Sequence, residues 1–503
     1  RCFVKEKEKG MNKRILFFAV LAVVLVAVVT VNATGNENRV SEKVDKFLET
    51  RLKQLDADIN DIIADELLSV NKVDKKGLSK DVSSALDIIT PELLRKHEFY
   101  LASDELEGRG TGYPGNDKAT EYVAEQFKKA GLKPIGDNNT YFQNFTVGKL
   151  KTRNCVGLLE GSDDRLKDEI IIIGGHHDHV GKKGQKNGGQ AGGVIGNDEI
   201  WNGADDNASG TSTVMAVAKA FGEGNIRPKR GILFMTFSGE ELGLLGSRHY
   251  AKNPILPLEK TVAMINLDMV GRNPNVAVGI SGISSFSDSD VIKDLLEKEI
   301  SRTGLKANIQ DGISGFWLAS DQASFTAKDV PALFFFAGGH KDYHHVTDHP
   351  EKIAYNHMTL VGKTVFLLIN DTANKDKVPS IAADFKKQLG GMARGGGRGG
   401  MRLSIHPSYD GLTEDERKEL GLKEGEGGLK VETVMEDGVA HKAGMKDGDI
   451  IVLLDDKTLD EESPMETLQK FLGSVKKGKD YEILVVRDGE RKTLIVRWEE
   501  KAQ

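Results

Sequence analysis

Ile170-Ile171-Ile172-Ile173-Gly174-Gly175-His176-His177-Asp178-His179 runs four β-branched residues into a glycine pair and then into imidazoles and a carboxylate. Four apolar residues with no polar alternation read as a strand buried on both faces, the habit of parallel strands covered by helices. The polar cluster then falls at the carboxyl end of that strand, where open α/β sheets bind their ligands. The pattern recurs downstream. Ala332 to Phe336 is followed by Gly338-Gly339 and by His340, His344, His345 and His349. Gly231 to Phe237 leads into Ser238-Gly239-Glu240-Glu241, and Thr261 to Leu267 leads into Asp268. From about Leu101 to Thr372 such runs alternate with helical patterns, so the expected fold is α/β with a mostly parallel, doubly wound sheet.

Seven of the 12 histidines lie in the windows His176, His177, His179 and His340, His344, His345, His349. Gly203-Ala204-Asp205-Asp206-Asn207-Ala208-Ser209-Gly210 adds acids where a helix begins. Imidazole and carboxylate donors without thiolate suit hydrolytic Zn, or Mn or Co, rather than a structural cysteine site. The donors exceed what one tetrahedral ion with an open position needs. They fit two ions about 3.5–4 Å apart sharing a carboxylate.

The rest of the chain frames this core. With 503 residues, two to four domains are expected. A net charge of -7 argues against a phosphate-tracking surface, so nucleic acid is not an expected partner. Met11, Lys13, Arg14, an apolar run from Ile15 to Val31 and Val31-Asn32-Ala33 read as a cleavable export signal over residues 1–33, with residues before Met11 as upstream read-through. Cleavage would leave no stable membrane span, a periplasmic or extracellular protein, and Cys155 as the one thiol; an uncleaved anchor is the alternative. Residues 34–100 read as a helical segment, 101–378 as the catalytic domain, 379–402 as a Gly/Arg-rich linker and 403–503 as a separate β-rich domain. The Gly- and Lys-rich stretch Lys182 to Asn197 reads as a rim or a plain surface loop.

The ordered blocks His176-His177-Asp178, Gly203 to Gly210, Glu240-Glu241, Asn266-Leu267-Asp268 and Tyr343-His344 resemble the ligand blocks of the secreted co-catalytic zinc aminopeptidase family, which also holds glutaminyl cyclases. The likeness covers about residues 90 to 372, including Leu106-Glu107-Gly108-Arg109-Gly110-Thr111-Gly112. It implies two divalent ions, zinc by preference, with Asp206 as bridge, His176 and Asp268 on one ion, and Glu241 and His344 on the other. It further implies Asp178 orienting His176, Glu240 as general base, Tyr343 donating to the oxyanion, and a peptide with a free amino terminus as substrate. His177, His179, His345 and His349 are left as wall or supporting residues. Ser320-Asp321-Gln322 departs from the family, where many relatives carry His in place of Gln322.

Gly427-Gly428-Leu429-Lys430-Val431 and Ala440 to Ile450 resemble a PDZ domain of the bacterial protease-associated type. That resemblance implies a carboxylate-binding loop and a strand edge that accepts a peptide C-terminus. Glutaminyl cyclase chemistry and a non-catalytic peptide-binding protein are the competing functions; the full set of matched ligands favours the aminopeptidase over both.

Overall fold

The computed structural model describes residues 65, 68, 72–147, 150–185, 198–310, 317–383, 385, 403, 405–407, 412, 414–422, 426–434, 438–460, 464–487 and 489–498. The expected export signal, the helical segment up to residue 64, the stretch 186–197 and residues 384 and 386–402 of the linker expected over 379–402 lie outside these residues, while Phe385 of that stretch is buried in a core of the sheet.

Helices α1 (Lys80–Leu86), α2 (Pro91–Leu101) and α3 (Pro114–Lys129) lead into strands β1 (Phe142–Val147), β2 (Leu150–Leu159) and β3 (Ile170–His176). The start of α2 is fixed by Thr90, whose hydroxyl accepts the N–H of Leu93, and by Pro91 in the first turn. A two-strand ribbon, β4 (Gly181–Lys182) with β5 (Ile200–Trp201), follows. Then come α4 (Gly210–Glu223), β6 (Gly231–Phe237), α5 (Leu245–Lys252), β7 (Thr261–Leu267), β8 (Val278–Ser281), α6 (Ser289–Thr303), β9 (Ala307–Ile309), α7 (Gln322–Thr326), β10 (Ala332–Phe336) and α8 (Tyr355–Asn374).

An eight-stranded sheet has the order β1-β2-β6-β3-β7-β10-β8-β9. Its centre, β6, β3, β7 and β10, is parallel, as expected from the unbroken apolar runs. The flanks are mixed: β1, β2 and β6 pair antiparallel on one side, and β8 antiparallel to β10 with β9 parallel to β8 on the other. Burial on both faces explains the runs. Ile171 and Ile173 join Ile232, Phe234, Ile265 and Phe335 in one core with Val217 and Phe221 of α4 and Val365 and Phe366 of α8. Ile170 and Ile172 join Leu233, Met235, Met264 and Phe334 in a second core with Tyr250 of α5 and Phe325 of α7. Burying each isoleucine contributes roughly 1.5–3 kcal/mol.

The winding explains the site's position. From β3 the chain passes through α4 to β6 on one side, then through α5 to β7 on the other. The end of β3 is therefore where the winding reverses, and a crevice opens there. His176 lies level with Phe237, and Phe335 with Leu267, so the four strands end together. Gly175 and Gly210 make this close approach possible: a Cβ on either would meet the Leu267 carbonyl oxygen, at 2.6 and 2.3 Å.

The C-terminal residues have their own core. Strands β11 (Ile405–Pro407), β12 (Glu426–Gly427), β13 (Leu429–Val434), β14 (Ile450–Leu454), β15 (Lys457–Asp460), β16 (Asp480–Arg487) and β17 (Glu490–Arg497) accompany helices α9 (Glu414–Glu419), α10 (Val439–Lys442) and α11 (Pro464–Ser474). Leu429, Val431, Ile451, Phe471, Tyr481, Ile483 and Trp498 pack together. The segment 427–431, expected to form a carboxylate-binding loop, leads into β13. β13 pairs with β14 through Leu429 and Lys430 and with β11 through Val431, Thr433 and Val434. Among the described residues, no helix is long and apolar enough to cross a membrane.

Candidate metal centre

Four loops at the carboxyl edge of the sheet bring the donors together. His176 is the last residue of β3, Glu240 and Glu241 follow β6, Asp268 follows β7, and His344 lies beyond β10. Asp206 sits in a turn, Ala204–Ser209, just before α4, where its own backbone departs from helical angles. That turn is held from three directions. Asp348 Oδ2 accepts the N–H groups of Asp205 and Asp206 at 2.9 and 3.2 Å. Asn207 donates to the Leu267 carbonyl oxygen at 2.9 Å and accepts from Met269 N at 3.2 Å. Arg109, fully buried, donates to the carbonyl oxygens of Gly203 and Asp206 at 2.7 and 3.4 Å.

The remaining Arg109 donors go to the carbonyl oxygens of Leu101, His177 and Asn202. Arg109 thus ties α2, the end of β3 and the Asp206 turn together. Thr111 of the same motif donates to Asp178 Oδ2 at 2.7 Å. The glycine-rich motif at 106–112 therefore serves as a clamp beneath the site, a role its sequence did not disclose.

The two oxygens of Asp206 face different partners. Oδ1 lies 3.3 Å from His176 Nε2, which is also 3.4 Å from Asp268 Oδ1. Oδ2 lies 3.0 Å from His344 Nε2, which is also 3.1 Å from Glu241 Oε2. His176, Asp206 and Asp268 form one set of donors able to hold an ion; Asp206, Glu241 and His344, joined by His179, form another. Asp268 Oδ1 is buried and has no hydrogen-bond partner among the described residues, while Ser320 donates to Oδ2 at 2.7 Å. A carboxylate oxygen left bare beside an imidazole fits a cation better than it fits a dry core. Nitrogen and oxygen donors with no sulfur suit zinc, and the one described thiol, Cys155, lies in the apolar core.

The charge states agree with that use. Burial opposes ionisation of Asp206, but hydrogen bonds from His176 and His344 and the charge of His179 hold it well below the usual carboxylate range. Burial likewise opposes ionisation of Glu241, yet His344, together with a hydrogen bond to His179, brings it down to about 2. Glu240 behaves in the opposite way. Burial, reinforced by Glu241, Asp321 and Asp268 against the pull of His176, raises its carboxyl well above the usual range. Adjacent glutamates are thus driven apart, a pattern typical of groups with different tasks.

The other residues singled out by the sequence divide. Tyr343 stacks on His344 with ring centroids 4.0 Å apart and lines the crevice with His176, Asp206, Glu240 and Asp268. Asp178 is buried beside His176, but His176 Nδ1 lies 3.1 Å from the Asp178 carbonyl oxygen and 3.7 Å from Oδ1. The main chain is therefore the closer partner, and the carboxylate instead accepts Thr111 and the Glu240 N–H, the latter at 3.1 Å. His177 faces Thr120, His345 the Tyr343 carbonyl oxygen and His349 Asp198, so these three stand outside the donor sets. His179 does not: expected on the wall, it lies among the donors. Gln322 accepts from Asn266 and donates to the Trp317 carbonyl oxygen, both at 2.7 Å, which gives the departure from the family pattern a structural role.

Comparison with known proteins bears on these blocks. The model described as Peptidase family M28 matches residues 154–369. Leupeptin-inactivating enzyme 1 of Streptomyces exfoliatus is 25% identical over 239 residues, 47% of this chain and 46% of its own. Aminopeptidase YwaD of Bacillus subtilis is 27% identical over 304 residues, 58% of each chain. The chain thus spans less than two thirds of the length of these curated relatives. Among solved structures, the aminopeptidase from Aneurinibacillus sp. strain AM-1 is 19% identical, with 59% of this chain and 97% of that one covered at a TM-score of 0.45.

Proposed function

We propose that the chain is an exported, metal-dependent aminopeptidase that hydrolyses the amino-terminal bond of peptides. The observation that carries this reading is Asp206, whose Oδ1 faces the His176 set while Oδ2 faces the His344 set. One ion would be held by His176, Asp206 and Asp268, and a second by Asp206, Glu241 and His344, with zinc the best match to the donors. When bound, such a pair polarises a carbonyl and makes hydroxide available near neutral pH.

The chain's own residues supply the rest. Glu240 takes a proton from the attacking water and passes it to the leaving amine, and the bond from its N–H to Asp178 Oδ1 fixes its main chain for that task. Tyr343, on the crevice wall, donates to the oxygen that gains charge as the carbonyl becomes tetrahedral. Met269, Phe334 and Phe336 line the same crevice and suit an apolar side chain on the residue released. Export rests on the segment from Met11 to Ala33. The same reading keeps the C-terminal domain as a PDZ-like module for peptide C-termini. The names of the relatives, an aminopeptidase and an enzyme that inactivates leupeptin, agree with peptide substrates.

The test is to give the intact chain matched peptides with a free amino terminus, a blocked one and an N-terminal Gln. The expected result is hydrolysis of free-amino peptides, with the blocked peptide spared. Cyclisation of the Gln peptide without hydrolysis of the others would replace this reading with glutaminyl cyclase chemistry.

A further inference from the structure

We propose that His179 is a positioning residue for Glu241, donating its Nδ1–H to Oε1 so that Oε2 alone is presented to the second ion. The inference rests on the two-metal reading above and adds a residue to it. His179 Nδ1 lies 2.9 Å from Glu241 Oε1, whereas Glu241 Oε2 lies 3.1 Å from His344 Nε2. A carboxylate only accepts, so the proton in the short contact belongs to Nδ1. The next acceptor, Asp206 Oδ2, is 3.7 Å from Nδ1 and out of hydrogen-bond reach.

The ring is fixed in that pose. His179 is fully buried, and its N–H donates to the Arg109 carbonyl oxygen at 3.2 Å. It meets the His344 ring edge-on with centroids 5.5 Å apart. On its other side is Gly203, where a Cβ would come within 2.4 Å of His179 Cδ2. The imidazole therefore occupies space that a side chain at 203 would fill.

The other half of the site repeats the device with a different residue. Asp268 Oδ2 accepts from Ser320 Oγ at 2.7 Å, which leaves Oδ1 bare and 3.4 Å from His176 Nε2. In both halves a terminal carboxylate has one oxygen tied to a protein donor and the other turned toward an imidazole of its own set. Asp206, the shared carboxylate, has both oxygens turned to imidazoles. Donors behind ligands set their orientation, and losing one typically costs about 10–100-fold in metal affinity.

The experiment measures metal content and zinc affinity, by competition with a chromogenic chelator, on the intact chain and on its His179→Ala and His179→Asn variants. The parent is expected to hold two ions. His179→Ala should bind one of them about 10–100-fold more weakly and the other as the parent does. His179→Asn, whose amide can donate from nearly the same place, should restore most of the loss. Two ions held by His179→Ala with parental affinity would overturn the role of His179 alone. An Asn variant that folds and binds as weakly as Ala would overturn the hydrogen-bond role. A parent that binds no metal would overturn the two-metal reading together with this inference.

Discussion

The catalytic domain and the C-terminal domain bury charge in opposite ways. In the C-terminal domain the one charged residue buried among the described residues is Asp449, and it is fully served: Arg487 grips both its oxygens at 2.6 and 2.7 Å, and the Lys446 N–H donates to Oδ2 at 2.9 Å. At the end of β3, by contrast, His176, Asp178, His179, Asp206, Glu240, Asp268 and His344 are buried within one crevice, and Asp268 Oδ1 is left without a hydrogen bond. A buried polar group left unmatched costs roughly 1–3 kcal/mol. The C-terminal pair secures a turn for stability, whereas the crevice gathers charged groups around one another and leaves one carboxylate oxygen bare. Such an arrangement persists when something bound supplies the missing partner.

The largest effect that would break this contrast is loss of the shared carboxylate. Asp206→Asn should lose metal and hydrolysis together, and chelation of the parent should abolish turnover that added Zn, Mn or Co restores. Metal analysis beside a peptide assay reads both; full activity in the chelated parent would end the two-metal account. Next comes the divergence of the paired glutamates. Glu240→Gln should keep its metal and lose about 10²–10⁴ in rate. Glu241→Gln should lose rate and also weaken one metal site. Equal metal content and equal rates in the two variants would remove the distinction drawn from their opposite charge states.

How much of this was legible in sequence follows from the same physics. β3, β6, β7 and β10 are apolar runs buried on both faces, so they announce themselves. The flanking β8 and β9 have four and three residues, too few to show a period, and the antiparallel margins went unread. The place of each donor was only implied by the family resemblance, whereas the donor-bearing segments were legible because they follow the ends of apolar runs. His179 was not, because β3 stops at His176 and side-chain alternation no longer says where a residue three positions on will point. Arg109 was hidden for a related reason: all of its bonds go to main-chain carbonyl groups, which leave no mark on the sequence. The pairing of β13 with the three-residue β11 was likewise too short to read.

A smaller effect separates the two domains by stability alone. Asp449→Ala takes the carboxylate away from the Arg487 guanidinium, which keeps the Gly444 carbonyl oxygen, and leaves the Lys446 N–H without that acceptor. The cost should be about 3 kcal/mol, at the low end for a broken buried pair because Arg487 keeps some solvent. The unfolding transition of the C-terminal domain should fall while turnover of a short amino-acid amide is unchanged. Truncation after Leu389 should give the same short-substrate rate, since every matched ligand lies before that residue. A loss of amide turnover in either protein would show that the domain supports the crevice after all.

The smallest effect is a pH dependence that belongs to the catalytic domain and not to its neighbour. His97 and His357 are buried, and burial drives them down to about 3 and about 4; the charges of nearby lysines add to the shift at His97, while Asp205 opposes it at His357. Each has Nε2 without a hydrogen-bond partner among the described residues, so the folded chain holds both rings neutral. The unfolded chain protonates them near pH 6.5. Below that pH the unfolded state therefore binds more protons than the folded one, and stability falls as pH falls, until the folded rings themselves titrate. Between pH 6.5 and 5 the loss should approach about 2 kcal/mol for each histidine, at about 1.36 kcal/mol per unit. Urea unfolding of the metal-free chain at pH 7.5 and 5.0 measures it, with chelator present so that metal release adds nothing. His97→Gln and His357→Gln should each flatten the dependence by that amount whatever they do to stability at pH 7.5. The C-terminal transition should be flatter over the same range, because His441 is exposed; a slope there equal to that of the catalytic domain would locate the effect elsewhere.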